Sequence, residues 1–190
     1  MAKKIYLDNI SIDAGSPAYI IAEVSGNHGG KLDNAIELIK KAKEIGADAV
    51  KLQTYTADTI TLNSSKDDFL LPAGNAWEGS NTLYNLYKQA FTPWEWHEEL
   101  FQVAHKVGID IFSSPFDSSA VDLLESLNAK MYKIASPEIF DLKLLKKVAD
   151  TKKPVILSTG MATKYDIELA LSTLRENGCN NIILLKCSTA

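Results

Sequence analysis

The chain has 190 residues, 46% hydrophobic and 23% charged, proportions ordinary for one soluble globular domain whose core needs no disulfides. A formal charge of −4 and an isoelectric point near 5.4 argue against nucleic acid as a partner. No stretch approaches the roughly 18–20 consecutive apolar residues of a membrane helix, and the opening Met1-Ala2-Lys3-Lys4 is too short and polar for a secretory signal.

In chain order, residues 5–17 (IYLDNISIDAGSP) have the pattern of a short hairpin able to close the bottom of a barrel. The first run of buried-strand composition is Tyr19–Ser25. Lys31–Gly46 follows as an amphipathic helix, with Ala35, Leu38, Ile39 and Ala42 on one face and Gly46 as its stop. The second run is Ala49–Thr54. Residues 55–91, with Trp77 and Leu83-Tyr84-Asn85-Leu86-Tyr87, double the usual gap. A long loop over the active-site mouth is expected there rather than a hidden strand. Thr92-Pro93-Trp94-Glu95 reads as a capping box with proline at the first helical position. The third and fourth runs, Asp110–Pro115 and Met131–Ser136, precede Asp117 and Asp141, each placed to cap a helix. The fifth run, Pro154–Gly160, leads to Thr163-x-x-Asp166, which opens a helix ending near Gly178; the sixth is Ile182–Ser188. Strands alternating with helices mean a parallel sheet or barrel, and centres about 20–30 residues apart suit barrel units.

Each apolar run passes into acids, bases and small hydroxyls: Glu23 to Ser25, Lys51 and Gln53, Ser113 and Ser114, Lys133 and Ser136, Ser158 and Thr159, and Lys186 to Ser188. Six such endings are hard to explain by packing, whereas the C-terminal rim of a barrel is where active sites are built. Lys51 and Lys133 stand inside strand runs, where an unpaired ammonium is costly. Three readings are open: a buried ion pair with Glu23 or Glu138, an inward-facing cradle for phosphate or carboxylate, and a Schiff-base lysine. Strand alternation puts Lys51 and Gln53 on one face. Arg175 is the sole arginine, so an anion site must use lysine, hydroxyls and backbone N–H groups. Ser113-Ser114-Pro115-Phe116 and Ser158-Thr159-Gly160-Met161 supply those hydroxyls, and Gly160 admits close backbone approach. Each precedes a helix N-terminus able to face an anion.

His28, between Asn27 and Gly29, reads as structural or surface; His97 and His105 are expected to face outward, and Trp94, Trp96 and Phe101 to pack their helix on the barrel. The pairs Lys146-Lys147 and Lys152-Lys153 read as solvated helix-end charge. No residues show a metal-ligand spacing. Cys179 and Cys187 lie outside any Cys-x-x-Cys pattern and read as free thiols of a reducing cytosol.

Ile21-Ala22-Glu23, Asn27-His28, Lys51-Leu52-Gln53-Thr54, Ser113-Ser114-Pro115-Phe116, Tyr132-Lys133-Ile134-Ala135-Ser136 with Glu138, and Leu157-Ser158-Thr159-Gly160-Met161 resemble the sialic-acid synthase family in order and spacing. Lys51–Thr61, Leu83–Lys88, Thr92–His97 and Phe112–Asp117 look most like its pseudaminic acid synthases. The resemblance implies a (β/α)8 TIM barrel, with about six of eight βα units in residues 1–190 as an N-terminal phosphoenolpyruvate-binding part. It implies an enzyme that condenses phosphoenolpyruvate with an N-acetylated amino sugar, here an altrose derivative, giving a nine-carbon 2-keto acid and phosphate. Lys51, Ser114, Lys133, Ser136 and Ser158 would hold phosphoenolpyruvate, with Thr159 and Gly160 beside them. Glu23 would do acid-base or water-positioning work, and Gln53 and Glu138 would line the sugar site. A divalent ion, manganese or magnesium, would activate the aldehyde.

Where many of the family carry asparagine, this sequence has Thr189, as pseudaminate synthases do, placing it beside the substrate. The family's metal-ligand histidines and antifreeze-like domain follow the sixth strand and are not expected within these residues. The expectation is therefore a phosphoenolpyruvate half-site with little synthase activity alone, in a cytoplasmic protein that is a homodimer at full length. Six strands would also leave two apolar sheet edges to aggregate or to pair with another chain. Alternatives are an N-acetylneuraminate or legionaminate synthase, a related barrel aldolase or 2-keto acid phosphate synthase, and a non-catalytic phosphoenolpyruvate-binding fragment.

Overall fold

The computed structural model describes residues 5–7, 10–13, 15–72, 74 and 80–187. Strands β1 (Ile5–Leu7) and β2 (Ile10–Ile12) form the expected antiparallel hairpin. Six further strands make one sheet: β3 (Ile21–Glu23), β4 (Ala49–Thr54), β5 (Asp110–Pro115), β6 (Tyr132–Ile134), β7 (Val155–Ser158) and β8 (Ile182–Leu185). They lie side by side in chain order, and every neighbouring pair is parallel. The architecture is a parallel α/β half-barrel, with helices in the connections.

Period-two alternation sorts each strand's side chains between two environments. On one face Val50, Leu52, Ile111, Tyr132, Ile134, Val155 and Leu157 meet Ile39, Leu100, Leu124, Leu144 and Leu145 of the helices in the main core. On the other, Ala49, Phe112, Met131 and Ile156 form a smaller apolar layer with Ile12, Tyr19, Ile21 and Ile183. Ile12 of the hairpin thus plugs the N-terminal end of the sheet. One inward position further along, β4, β5, β6 and β7 present Lys51, Ser114, Lys133 and Ser158. The inner face changes from apolar to polar within two residues.

Helix α1 (Leu32–Glu44) buries Ala35, Ile39 and Ala42, while Leu38 stays 36% exposed at the edge of that face. The chain leaves it through Gly46 at φ +88°, a left-handed turn that favours glycine. Asp117, Asp141 and Thr163 accept backbone N–H groups at the starts of α5 (Ser118–Ser126), α6 (Leu142–Asp150) and α7 (Lys164–Glu176). Such caps contribute about 1 kcal/mol each.

The long segment after β4 carries α2 (Ala57–Ile60), a 3₁₀ turn at Asp67–Phe69 and α3 (Leu83–Ala90). Among its described residues none joins the six-stranded sheet; a single bridge pairs Leu70 with Thr82. Trp77 lies outside the described residues. Tyr55 anchors the segment, with edge-on rings of Tyr87 and Phe116 and an N–H bond from Trp94 to its carbonyl.

Three expectations are corrected here. The Thr92–Glu95 capping box does not form, because the Thr92 hydroxyl is buried against His28 and Ser25. Pro93 precedes a 3₁₀ turn, Trp94–Trp96, and α4 begins at His97 (His97–Val107). His97 does not face outward but is 0% exposed, on the buried face with Leu100, Phe101 and Ala104. Its Nδ1–H donates to the Pro93 carbonyl (3.1 Å) and Nε2 accepts from Thr54 Oγ1 (2.9 Å), which takes a hydrogen from Ser113 Oγ (2.7 Å). This chain satisfies every polar group that β4 and β5 turn toward α4. Finally, Lys147 and Lys153 are not merely solvated: they pair with Asp122 (2.6 Å) and Glu125 (2.5 Å) of α5, and Lys152 donates to the Asn177 carbonyl.

Breaking the buried chain at one end should be costly. Thr54→Val leaves His97 without its partner, and urea unfolding should show a loss of about 1–3 kcal/mol. Burial also holds the pKa values of His28 and His97 below the ordinary 6.5. Their contribution to stability is complete above 6.5 and is lost as pH falls through the lower folded values. The urea midpoint should therefore drop between pH 7 and 5.5, and a flat profile would contradict this assignment.

Candidate functional site

A cavity of about 460 Å³ lies at the C-terminal end of the inner face, where the polar positions converge. Its wall brings together Glu23, Lys51, Gln53, Ser114, Lys133, Ser136, Ser158 and Gly160, all expected from the sequence. Ala135, Pro137, Met161, Leu185 and Cys187 complete it.

The two lysines have different partners. Lys51, only 8% exposed, pairs with Glu23 Oε2 at 2.8 Å and reaches Ser114 Oγ at 3.4 Å. The parallel register sets Glu23 directly beside Lys51, so the pair follows from the strand alignment. The ion-pair reading therefore holds for Lys51, with Glu23 and not Glu138 as its partner. Lys133, 9% exposed, donates to Ser158 Oγ and to the Ile134 carbonyl (3.0 Å). No described carboxylate lies within ion-pair distance of it. Burial first, and the like charge of Lys51 second, push its pKa down to about 8. It is still largely a cation at neutral pH, which suits an anionic ligand better than a Schiff base.

The hydroxyls are set by what already donates to them. Ser136 Oγ accepts the Gly160 N–H (3.1 Å), Ser158 Oγ accepts from Lys133, and Ser114 Oγ accepts from Lys51. An ammonium or an amide can only donate, so each serine keeps its own hydrogen for another acceptor. Gly160 is required for this approach: a Cβ there would lie 2.9 Å from Ser136 Oγ. The wall thus offers two ammonium groups and three hydroxyl groups against a single carboxylate.

The Glu23 carboxylate is held from behind. Ser25, at φ +43°, donates its hydroxyl to Glu23 Oε1 at 2.5 Å. The Ser25 carbonyl accepts from Thr92 Oγ1 (3.4 Å), which accepts from His28 Nε2 (3.1 Å). The Gly30 N–H donates to His28 Nδ1 (3.1 Å), which fixes the tautomer, and Trp96 stands edge-on to the ring at 5.3 Å. His28 is therefore structural and fully buried, one of the two readings the sequence left open. Gly26 packs against the Ala90 carbonyl, 2.6 Å from where a Cβ would sit.

Other candidates are placed elsewhere. Glu138, on the 3₁₀ turn Pro137–Phe140, does not line the cavity; its Oε2 is buried without a partner and burial raises its pKa. Thr159 gives its hydroxyl and its N–H to the Leu185 carbonyl, tying β7 to β8. Thr189 lies outside the described residues. No described residue of the 55–91 segment lines the cavity. Cys187, absent from the sequence-derived set, follows Ile183 and Leu185 at the same inward parity, a signal that could have found it. Trp94, Trp96 and Phe101 pack as expected, and His105 is exposed. Among the described residues no three His, Cys, Asp or Glu side chains gather into a metal site, so the implied divalent ion finds no ligand set among them.

The NeuB family profile matches residues 38–190. Pseudaminic acid synthase of Helicobacter pylori is 52% identical over 174 residues, covering 92% of this chain and 51% of its own. That of Campylobacter jejuni (serotype O:23/36) is 44% identical over 172 residues, covering 90% and 50%. The crystal structure of N-acetylneuraminic acid synthetase from Leptospira borgpetersenii superposes with a TM-score of 0.84 at 32% identity, over 100% of this chain and 61% of that one. The chain spans about half the length of the two synthases. With a profile match over most of its residues and a fold matched end to end, the chain belongs to the NeuB family.

Proposed function

We propose that this chain is the phosphoenolpyruvate-holding part of a synthase that condenses phosphoenolpyruvate with an open-chain N-acetylated amino sugar. The observation that carries the reading is the donor-rich cavity, above all Lys133, a buried cation with no described carboxylate in ion-pair range. The phosphate of the ligand would complete it, held by Lys133, Lys51 and the hydroxyls of Ser114, Ser136 and Ser158. Glu23, braced by Ser25 and Lys51, would position water or move a proton near C2. C3 would attack the sugar aldehyde, water would add at C2, and the C–O bond to phosphate would break. Gln53 would face the sugar; Glu138 would need to turn toward the cavity to join it. A divalent ion would supply Lewis-acid activation of the aldehyde; no described residues form its site, and no step is assigned to it.

The 52% and 44% identities to two pseudaminic acid synthases favour an altrose-derived sugar. A legionaminic acid synthase of Legionella pneumophila is 38% identical, which makes that sugar the second choice. On the same reading residues 1–190 are the N-terminal barrel part, with Thr189 beside the substrate. The whole protein would act in the cytoplasm as a homodimer, with neither nucleic acid nor membrane as partner. No helix of the described residues is long and apolar enough to cross a membrane.

Calorimetry with phosphoenolpyruvate tests the reading on the chain as it stands. The wild type should bind, and Lys133→Ala and Lys51→Ala should each weaken binding about 10- to 100-fold, the worth of a charge-assisted bond. No binding by the wild type would sink the proposal. Because free Lys133 loses its proton near pH 8, affinity should fall as pH rises through that value. A loss of about tenfold between pH 7 and 9 is expected from its titration alone; an unchanged affinity would remove Lys133 from the site.

A further inference from the structure

We infer that Cys187 is a positioning residue of the anion site, acting on the ligand through the hydroxyl of Ser158. This rests on the reading of the cavity as a phosphate site. Cys187 lines that cavity, with its Sγ 3.0 Å from Ser158 Oγ; its next acceptor, the Leu185 carbonyl, is 4.0 Å away. Its position is bounded on the far side by Gly160, where a Cβ would come within 3.1 Å of the Cys187 Cβ.

The chemistry follows from counting hydrogens on Ser158. The hydroxyl has two lone pairs and one hydrogen, and Lys133, which can only donate, occupies one lone pair. Cys187 governs what remains. When its S–H points at Ser158 Oγ, the second lone pair is filled and the serine hydrogen is directed at the ligand. That is the direction the structure shows, with Cys187 Sγ–H donating to Ser158 Oγ. The contact with Ser158 is also the first cause lowering the Cys187 thiol pKa, with Ser136 and the charge of Lys133 acting in the same direction. A thiol, like a hydroxyl, fills both roles, whereas an alkyl group fills neither. Ser158, 2% exposed, therefore has both lone pairs filled and its hydrogen held ready for an oxyanion.

A double-mutant cycle with inorganic phosphate as the titrant tests this. Cys187→Ala should weaken phosphate binding about three- to tenfold, the worth of one neutral hydrogen bond, and Cys187→Ser should restore it to within about twofold. In a Ser158→Ala background, Cys187→Ala should cost nothing further. An equal loss in that background would make Cys187 an independent contact and overturn the inference, as would wild-type affinity in Cys187→Ala or failure of the serine to restore it. Capping the folded wild type with methyl methanethiosulfonate removes the S–H without refolding, since Cys179 is fully buried. Capped protein with undiminished affinity would equally overturn it. If the uncapped wild type binds no phosphate, the reading of the cavity fails and this inference falls with it; if it binds while the cycle is additive, only the role of Cys187 falls.

Discussion

Two ammonium groups held in one cavity against a single described carboxylate is the constraint on which the rest of the structure turns. Taking a lysine out of water is expensive, and two facing each other add repulsion. Lys51 is neutralised by Glu23, the residue set beside it by the parallel register. Among the described residues Lys133 bonds only to neutral oxygens, and burial, then the like charge of Lys51, depress its pKa. In such a site a bound anion would add charge compensation that the described residues leave out.

The fold makes this tolerable by layering. The inner face is closed at its N-terminal end by Ala49, Phe112, Met131 and Ile156, sealed by Ile12 of the hairpin. One inward position later it is polar, so the charged groups sit against an apolar floor. A low-dielectric floor strengthens every donor above it. The turn after Glu23 is braced, because Ser25 is fixed through Thr92 to a neutral, buried His28 and Gly26 lies against Ala90. His28 thus braces the site from outside it.

Much of this was legible in the sequence because it rests on local rules. Strand alternation put Lys51 and Gln53 on one face, and all six strand runs, the caps at Asp117, Asp141 and Thr163, and the turn at Gly46 follow from residue type and spacing. What was not legible depends on contacts far apart in the chain. Thr92 and Glu95 have the spacing of a capping box, yet Thr92 is claimed by His28, 64 residues away. His97 looked polar and therefore exposed, although its spacing from Leu100, Phe101 and Ala104 already placed it on the buried face; the missing fact was Thr54, ready to receive it. Glu138 lies on a 3₁₀ turn, and its direction cannot be read from strand parity.

The asymmetry between the two lysines also gives the proposed ligand a direction. Glu23 and Lys51 form a nearly neutral pair at the β3–β4 side, whereas Lys133, Ser158 and Ser136 form an uncompensated donor cluster at the β6–β7 side. A ligand with its charge concentrated at one end lowers its energy by turning that end toward Lys133 and away from the Glu23 carboxylate. The phosphate of phosphoenolpyruvate would then lie at the serines, and its carbon skeleton would extend toward Glu23 and Gln53. That is the orientation acid-base work at C2 requires. It would follow from the lack of a described carboxylate at Lys133, so the feature that makes Lys133 costly to bury would also orient the substrate.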